Sequence, residues 1–252
     1  MLIRKFLTAA GAIALMMGAA PATADTGGTP PGAPCSRSNG NPCNGNNGNL
    51  GDQGNSGHER VHIDRYPPPI DLPMPAVSGR GAFISQIGDT NVASIRQAAP
   101  NAYARITQSG DRNEADVTQD GGGTGYISAS QSGDGNFARL EQGGAGQNVL
   151  HLIQSGVSNW AWSSQNASGA LHNGAQLTQT GNYNDMHLVQ DGSDNRALLT
   201  QDGDANAMTA AQLGVGNRLI WNQHGNNLTD LQITQTGGSE KGGQLLITQT
   251  GG

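Results

Sequence analysis

The sequence predicts an all-β protein: a flat two-sheet parallel β-solenoid of about seven 22-residue circuits, competent for cross-β amyloid. Three observations predict it. Gln recurs at a near-constant interval over the last two-thirds of the chain. Apolar and polar residues alternate ahead of each of those Gln. A Gly follows almost every one at a turn position.

The repeated residues are Gln86, Gln97, Gln108, Gln119, Gln131, Gln142, Gln154, Gln165, Gln179, Gln190, Gln201, Gln212, Gln223, Gln235 and Gln249. Most steps are eleven residues, three are twelve and two are fourteen. In the first half full and weaker copies alternate, so the parent unit is about 22 residues. Counted back from each Gln, positions −4 and −2 are apolar in 29 of 30 cases, Ser163 being the exception, against 8 of 30 at positions −3 and −1. That period of two belongs to a strand with one buried face, and a helix would not keep it.

Gly stands two residues after the Gln in 13 of 15 copies, including Gly88, Gly110, Gly133, Gly156, Gly181, Gly192, Gly203 and Gly214. A tight turn needs positive φ, which Gly adopts without steric cost. Asn stands at position −6 in 10 of 15 copies. Asn91, Asn113, Asn136, Asn159, Asn184, Asn195, Asn206 and Asn217 are the candidate ladder residues among them. Strand, turn, strand, turn closes one circuit, and equivalent residues of successive circuits stack at about 4.8 Å. The Gln and Asn share the parity of the apolar positions, so they face inward. A buried amide needs partners for its donors and acceptor, and stacked amides supply them from rung to rung. The outward filler is free to drift.

Ahead of the repeat the chain reads differently. Residues 1–24 have the pattern of a secretory signal: Arg4 and Lys5, an apolar run from Phe6 to Ala20, and Ala22-Thr23-Ala24 as a small-x-small cleavage site. No later segment is apolar enough to span a bilayer. Residues 25–80 read as a Gly/Asn/Pro-rich flexible lead segment, with Pro67, Pro68 and Pro69 favouring polyproline geometry, and residues 81–252 as the solenoid. Cys35 and Cys43 are candidates for a small disulfide loop in an exported protein, and equally readable as two free thiols.

Composition narrows the function classes. Leu, Ile, Val and Phe number 19, 13, 8 and 3, or 43 of 252, below the share of a conventional core. The net charge is only −6, so the charge half of a disorder signature is missing. With 13 Lys+Arg against 19 Asp+Glu there is no basic nucleic-acid footprint, and no nucleic acid is required as a partner. The sequence holds no nucleophile elbow, phosphate loop or metal motif, so no enzyme, cofactor or metal is expected. His151 and His187 fall at outward positions of non-adjacent copies. Gly-Asp pairs at 88–89, 110–111, 133–134 and 203–204 lack the nonapeptide calcium pattern and read as turn formers.

The skeleton Gln-x-Gly-x-x-Asn-x-Ala-x-x-x-Gln resembles the curlin repeat of curli amyloid subunits. QIGDTNVASIRQ (86–97), QSGDRNEADVTQ (108–119), QSGDGNFARLEQ (131–142), QSGVSNWAWSSQ (154–165) and QDGSDNRALLTQ (190–201) match it throughout. Three further copies carry Met186, Met208 and Leu219 at the Ala position. The resemblance covers about residues 82 to 250. It implies passage through the periplasm with a chaperone and an outer-membrane secretion pore, a nucleator, and self-assembly into extracellular homopolymeric fibres for biofilm, surface adhesion and cell aggregation. The chain departs from the family in having more than the familiar five circuits and a long lead segment.

A solenoid exposes a bare strand at each end, here near residues 82–86 and 245–249, and bare edges invite more strands. Growth by end-to-end strand addition is therefore the expected mechanism. Outward charges at −3 and −1 are confined to early copies (Arg96, Arg105, Asp116, Arg139, Glu141), so the C-terminal half is expected to drive assembly. The alternative is a soluble monomeric secreted β-solenoid adhesin with capped ends. In it the lead segment folds over an edge and Trp160, Trp162 and Trp221 belong to a binding face.

Overall fold

A computed structural model describes residues 59–76, 79–238 and 242–251. The expected signal sequence, most of the lead segment, and Cys35 and Cys43 lie outside the described residues. Sixteen strands form two sheets, and no helix occurs among the described residues. In spatial order, sheet A holds β1 (Arg60–Asp64), β16 (Gln244–Gly251), β14 (Arg218–Gly225), β12 (Arg196–Asp202), β10 (Asn173–Thr180), β8 (Gln147–Ser155), β6 (Thr124–Ser132), β4 (Asn101–Ser109) and β2 (Gly81–Ile87). Sheet B holds β15 (Ile233–Gly238), β13 (Ala207–Val215), β11 (Asp185–Ser193), β9 (Trp160–Ala167), β7 (Phe137–Gly144), β5 (Glu114–Gln119) and β3 (Val92–Gln97). Strands alternate between the sheets along the chain, and from β2 to β16 every pairing is parallel and in register. This is the expected two-sheet parallel β-solenoid.

Register follows from the period of two. Gln108 pairs with Gln131 and Gln131 with Gln154, so the inward columns stay inward through every rung. The core is a single slab between the sheets, built from Ala104, Ile106, Val117, Leu140, Leu150, Leu188, Leu199 and their neighbours. Trp221 also lies in this slab, fully buried; a place on a binding face is ruled out for it by its inward parity. Trp160 and Trp162 lie on the outward face of sheet B, where Trp160 stacks on Phe137 and both rings meet His187. Ser163, the one polar residue at a core position, is buried with its hydroxyl unpartnered between Leu140 and Leu188.

The turns explain the Gly spacing. The eight turn glycines picked out by sequence, Gly88 to Gly214, all have positive φ. Rungs also pack there without room for a side chain: a Cβ on Gly156 would lie 1.9 Å from the Gly181 carbonyl oxygen. Two residues further on, the left-handed conformation recurs at Thr90, Arg112, Gly135, Ser158, Tyr183, Ala205 and Asn227. A β-branched residue there is strained.

Residues 59–76 differ from the flexible lead expected from composition. β1 pairs antiparallel with β16, so the edge at residues 245–249 is covered. From Asp64 the chain passes the start of β10. Leu72 is buried there, and its Cβ lies 3.3 Å from where a Cβ on Gly174 would stand. Burial pushes the His172 pKa below its ordinary value. With its proton on Nε2 the ring donates to the Leu72 carbonyl oxygen at 2.8 Å. Composition rules miss this because the strand is five residues long and its anchors come from distant rungs.

Two stability outcomes follow. Gly156→Ala is expected to destabilise by at least about 2 kcal/mol, while Thr90→Gly stabilises by about 1 kcal/mol, both read by denaturant unfolding of the monomer. In the core, Ser163→Ala removes a buried hydroxyl that has no partner, and raises stability by about 1 kcal/mol in the same assay.

Candidate assembly interface

The inward amides form four columns. Gln86, Gln108, Gln131, Gln154, Gln179, Gln201, Gln223 and Gln249 run through sheet A, each donating from Nε2 to the Oε1 of the next at 2.6–3.0 Å. Gln97, Gln119, Gln142, Gln165, Gln190, Gln212 and Gln235 do the same through sheet B at 2.7–2.9 Å. Each buried Gln also ties the two sheets together, because Nε2 donates to a backbone carbonyl where the opposite sheet begins, as Gln108 does to Val92 and Gln165 to Val149.

The Asn columns run the other way. Asn113, Asn136, Asn159 and Asn184 donate from Nδ2 to the Oδ1 of the preceding Asn, starting at Asn91, and Asn206 continues the column through its backbone N–H. Asn173, Asn195 and Asn217 form the second Asn column. Asn173 was not among the ladder candidates read from sequence. Asn148, beside it in register, donates to the Gly143 carbonyl oxygen, while its Oδ1 is buried and unpartnered.

A separate column lines the turns. Asp111 accepts from the Asp89 N–H, Asp134 from Asp111, Asn182 from Val157 and Asp204 from Asn182. Asp111, Asp134 and Asp204 of the Gly-Asp pairs thus hold backbone amides of the neighbouring rung. No group of three or more His, Cys, Asp or Glu able to hold a metal ion occurs among the described residues. His151 and His187 stand on β8 and β11, in different sheets.

The Gln columns have a direction, so the two ends of the solenoid differ chemically. The N-terminal end presents Gln86 and Gln97 at the start of their columns, each donating onward into the stack. Ile84, Ile87, Phe83 and Val92 are exposed there. The C-terminal end presents Gln249 as a donor. Its Nε2 donates to Glu59 Oε1 at 2.6 Å and to the Thr229 carbonyl oxygen at 2.8 Å. Its Oε1 accepts from Gln223 Nε2 at 3.0 Å and from the buried Trp221 indole. Glu59 therefore occupies the acceptor position that the next Gln of the column would fill. Val61 and Ile63 lie opposite Gln249 and Ile247, continuing the inward face. Among the described residues no strand pairs with the outer edge of β15 in sheet B, where Gln235 Nε2 donates to the carbonyl oxygens of Arg218 and Gly243 at 3.0 Å. Sequence reading missed Glu59; its only signal was that Glu59, Val61 and Ile63 share one parity.

These features define a parallel β-solenoid held by continuous internal amide ladders. Residues 81–121, spanning β2 to β5, and residues 172–203, spanning β10 to β12, match the family model described as the curlin associated repeat. No curated protein and no solved structure matches the chain.

A mid-column Gln serves more partners than a terminal one. Gln154→Leu strips hydrogen bonds from Gln131, Gln179, Phe137 and Asn159, and should cost about 2–3 kcal/mol, whereas Gln86→Leu loses one bond at an open end and should cost under about 1 kcal/mol by denaturant titration.

Glu59 gives the C-terminal end a pH dependence. Partial burial pushes its carboxyl up, but hydrogen bonds from Thr229 and Gln249 outweigh this and hold the pKa below its ordinary 4.5. The contact is then complete above pH 4.5 and is lost as pH falls through the lower folded value. Amide exchange at residues 246–250, corrected for intrinsic rates, should lose protection on acidification in the wild type. In Glu59→Gln it should show little pH dependence over that window.

Proposed function

We propose that this chain is a structural subunit of extracellular curli-like fibres, which grow by adding one solenoid to the end of another. The observation that carries the reading is the direction of the Gln ladders. A column that starts with Gln86 and ends with Gln249 can continue into a second copy without any new kind of contact. The same holds for Gln97 and Gln235. The match of two segments to the curlin associated repeat supports a curli-like subunit role. Outward charges concentrated in early rungs fit an assembly driven by the C-terminal half, where Leu198, Ile220 and Leu246 lie in neighbouring strands of sheet A. In this reading the chain is exported through the periplasm, secreted through an outer-membrane pore and started by a nucleator. The fibres serve biofilm cohesion and surface adhesion.

The pairing of β1 with β16 favours a second reading, a monomeric adhesin whose end is closed. One experiment separates them. The mature chain, freshly desalted, is followed by thioflavin fluorescence with and without preformed seeds, and the product by fibre diffraction. The fibre reading expects seeds to abolish the lag and reflections near 4.8 Å and about 10 Å. A chain that stays monomeric with its β-structure intact refutes it in favour of the adhesin.

A further inference from the structure

The C-terminal end of sheet A is not bare, and what covers it has the wrong direction to be part of the repeat. Every pairing from β2 to β16 is parallel, whereas β1 runs antiparallel to β16. It still imitates the missing rung: Glu59 takes the Gln249 donor, and Val61 and Ile63 stand opposite Gln249 and Ile247. The imitation is poor. Val61 and Ile63 remain about half exposed, at 44 % and 56 %. Among the described residues β1 covers one sheet only, and none of them pairs as a strand with the outer edge of β15.

The connection reaches within one molecule. β1 and β2 are eight strand spacings apart in sheet A, about 38 Å at 4.8 Å each. Sixteen residues separate Asp64 from Gly81, about 50 Å at polyproline rise. Leu72, held against His172 and Gly174, fixes the path midway.

We propose that the C-terminal end of the solenoid is the docking surface for β2 and β3 of a second copy, and that β1 is a removable placeholder which must be displaced before that copy can bind. This rests on the fibre reading above. The incoming β2 would pair parallel to β16, setting Gln86 against Gln249, Ile84 against Ile247 and Ala82 against Leu245, by continuation of the register between β14 and β16. Gln86 Oε1 would replace Glu59 Oε1 as acceptor. β3 would pair with β15 at the same time, setting Gln97 against Gln235, a contact β1 does not make. The second copy therefore offers more than the placeholder does, and displacement runs downhill. The open β2 end has no such guard among the described residues, so growth is gated at one end.

Two variants of the full mature chain test this, both with Cys35→Ser and Cys43→Ser. In the first, His62→Cys and Thr248→Cys place a disulfide across a directly facing outward pair of β1 and β16. In the second, residues 59–64 become Gly and Ser at unchanged length. The oxidised chain should fail to elongate seeds. Added to wild-type monomer it should cut fibre yield, because its free β2 end can join a growing end and close it. Reduction should restore elongation. The Gly/Ser chain should shorten the unseeded lag by about tenfold, the gain from raising a competent state from about a tenth of the population to nearly all. If wild-type chain elongates seeds and the oxidised chain does so equally well, the placeholder inference is overturned and the fibre reading stands. A wild-type chain that never elongates seeds overturns both.

Discussion

Everything in this fold depends on one constraint: an amide buried in the slab must find its partners in the rungs above and below. A Gln side chain carries two donors and an acceptor, and leaving any of them unpaired inside a dry core costs more than a hydrogen bond gains in water. The only neighbour that presents a complementary amide at the right height is another Gln one rung away. Once one rung has Gln at the end of its strand, the next must have it too, in register. Gln108 at 0 % exposure works only because Gln86 and Gln131 flank it.

The remaining repeat residues follow from keeping that stack tight. At the turns a Cβ on Gly110 would come within 2.2 Å of the Gly133 carbonyl oxygen, so the rung spacing set by the ladder excludes every side chain there. Ala and branched aliphatics fill a slab too thin for conventional packing, which is why a chain poor in Leu, Ile, Val and Phe still has a continuous core. Irregular steps are taken up away from the ladder. The interval from Gln154 to Gln179 is 25 residues and that from Gln223 to Gln249 is 26, yet the Nε2 to Oε1 bonds across them stay at 2.8 and 3.0 Å. Insertions are confined to the loops, since a slip within a strand would turn every amide to the wrong face.

The same logic decides what the sequence makes visible. A property repeated along the chain, such as the parity of Gln in fifteen copies or the Gly two residues on in thirteen of them, can be read because the copies check one another, and the sheets, register and four amide columns come from it. A property that occurs once cannot. Glu59 imitates a Gln without being one, in a strand too short to show a period, and meets Gln249 from 190 positions away. Trp221 was ambiguous as an aromatic residue but not by position, since it stands two before Gln223, where every side chain but Ser163 is apolar. Asn148 and Asn173 look equivalent in sequence, yet only Asn173 joins a column. Both donate to level carbonyl oxygens, Asn148 to Gly143 and Asn173 to Asn166, but Asn173 also reaches the Gly192 carbonyl oxygen and accepts from Asn195, while the Asn148 Oδ1 has no partner.

The direction of the ladder also limits how such a molecule can stay single. A parallel solenoid cannot close on itself, because its last strand always offers the groups that its first strand complements. A cap made of another repeat would only move the problem one rung further. Stopping the series needs a strand that satisfies the edge without reproducing it. An antiparallel strand does this, since its own outer edge presents backbone groups in a pattern that a parallel strand in the repeat register does not match. A carboxylate does the same for the ladder: Glu59 accepts from Gln249, but lacking a donor it passes nothing onward. β1 thus ends both the backbone pairing and the side-chain column with groups that cannot propagate them. Its short length and half-exposed Val61 and Ile63 keep that ending reversible.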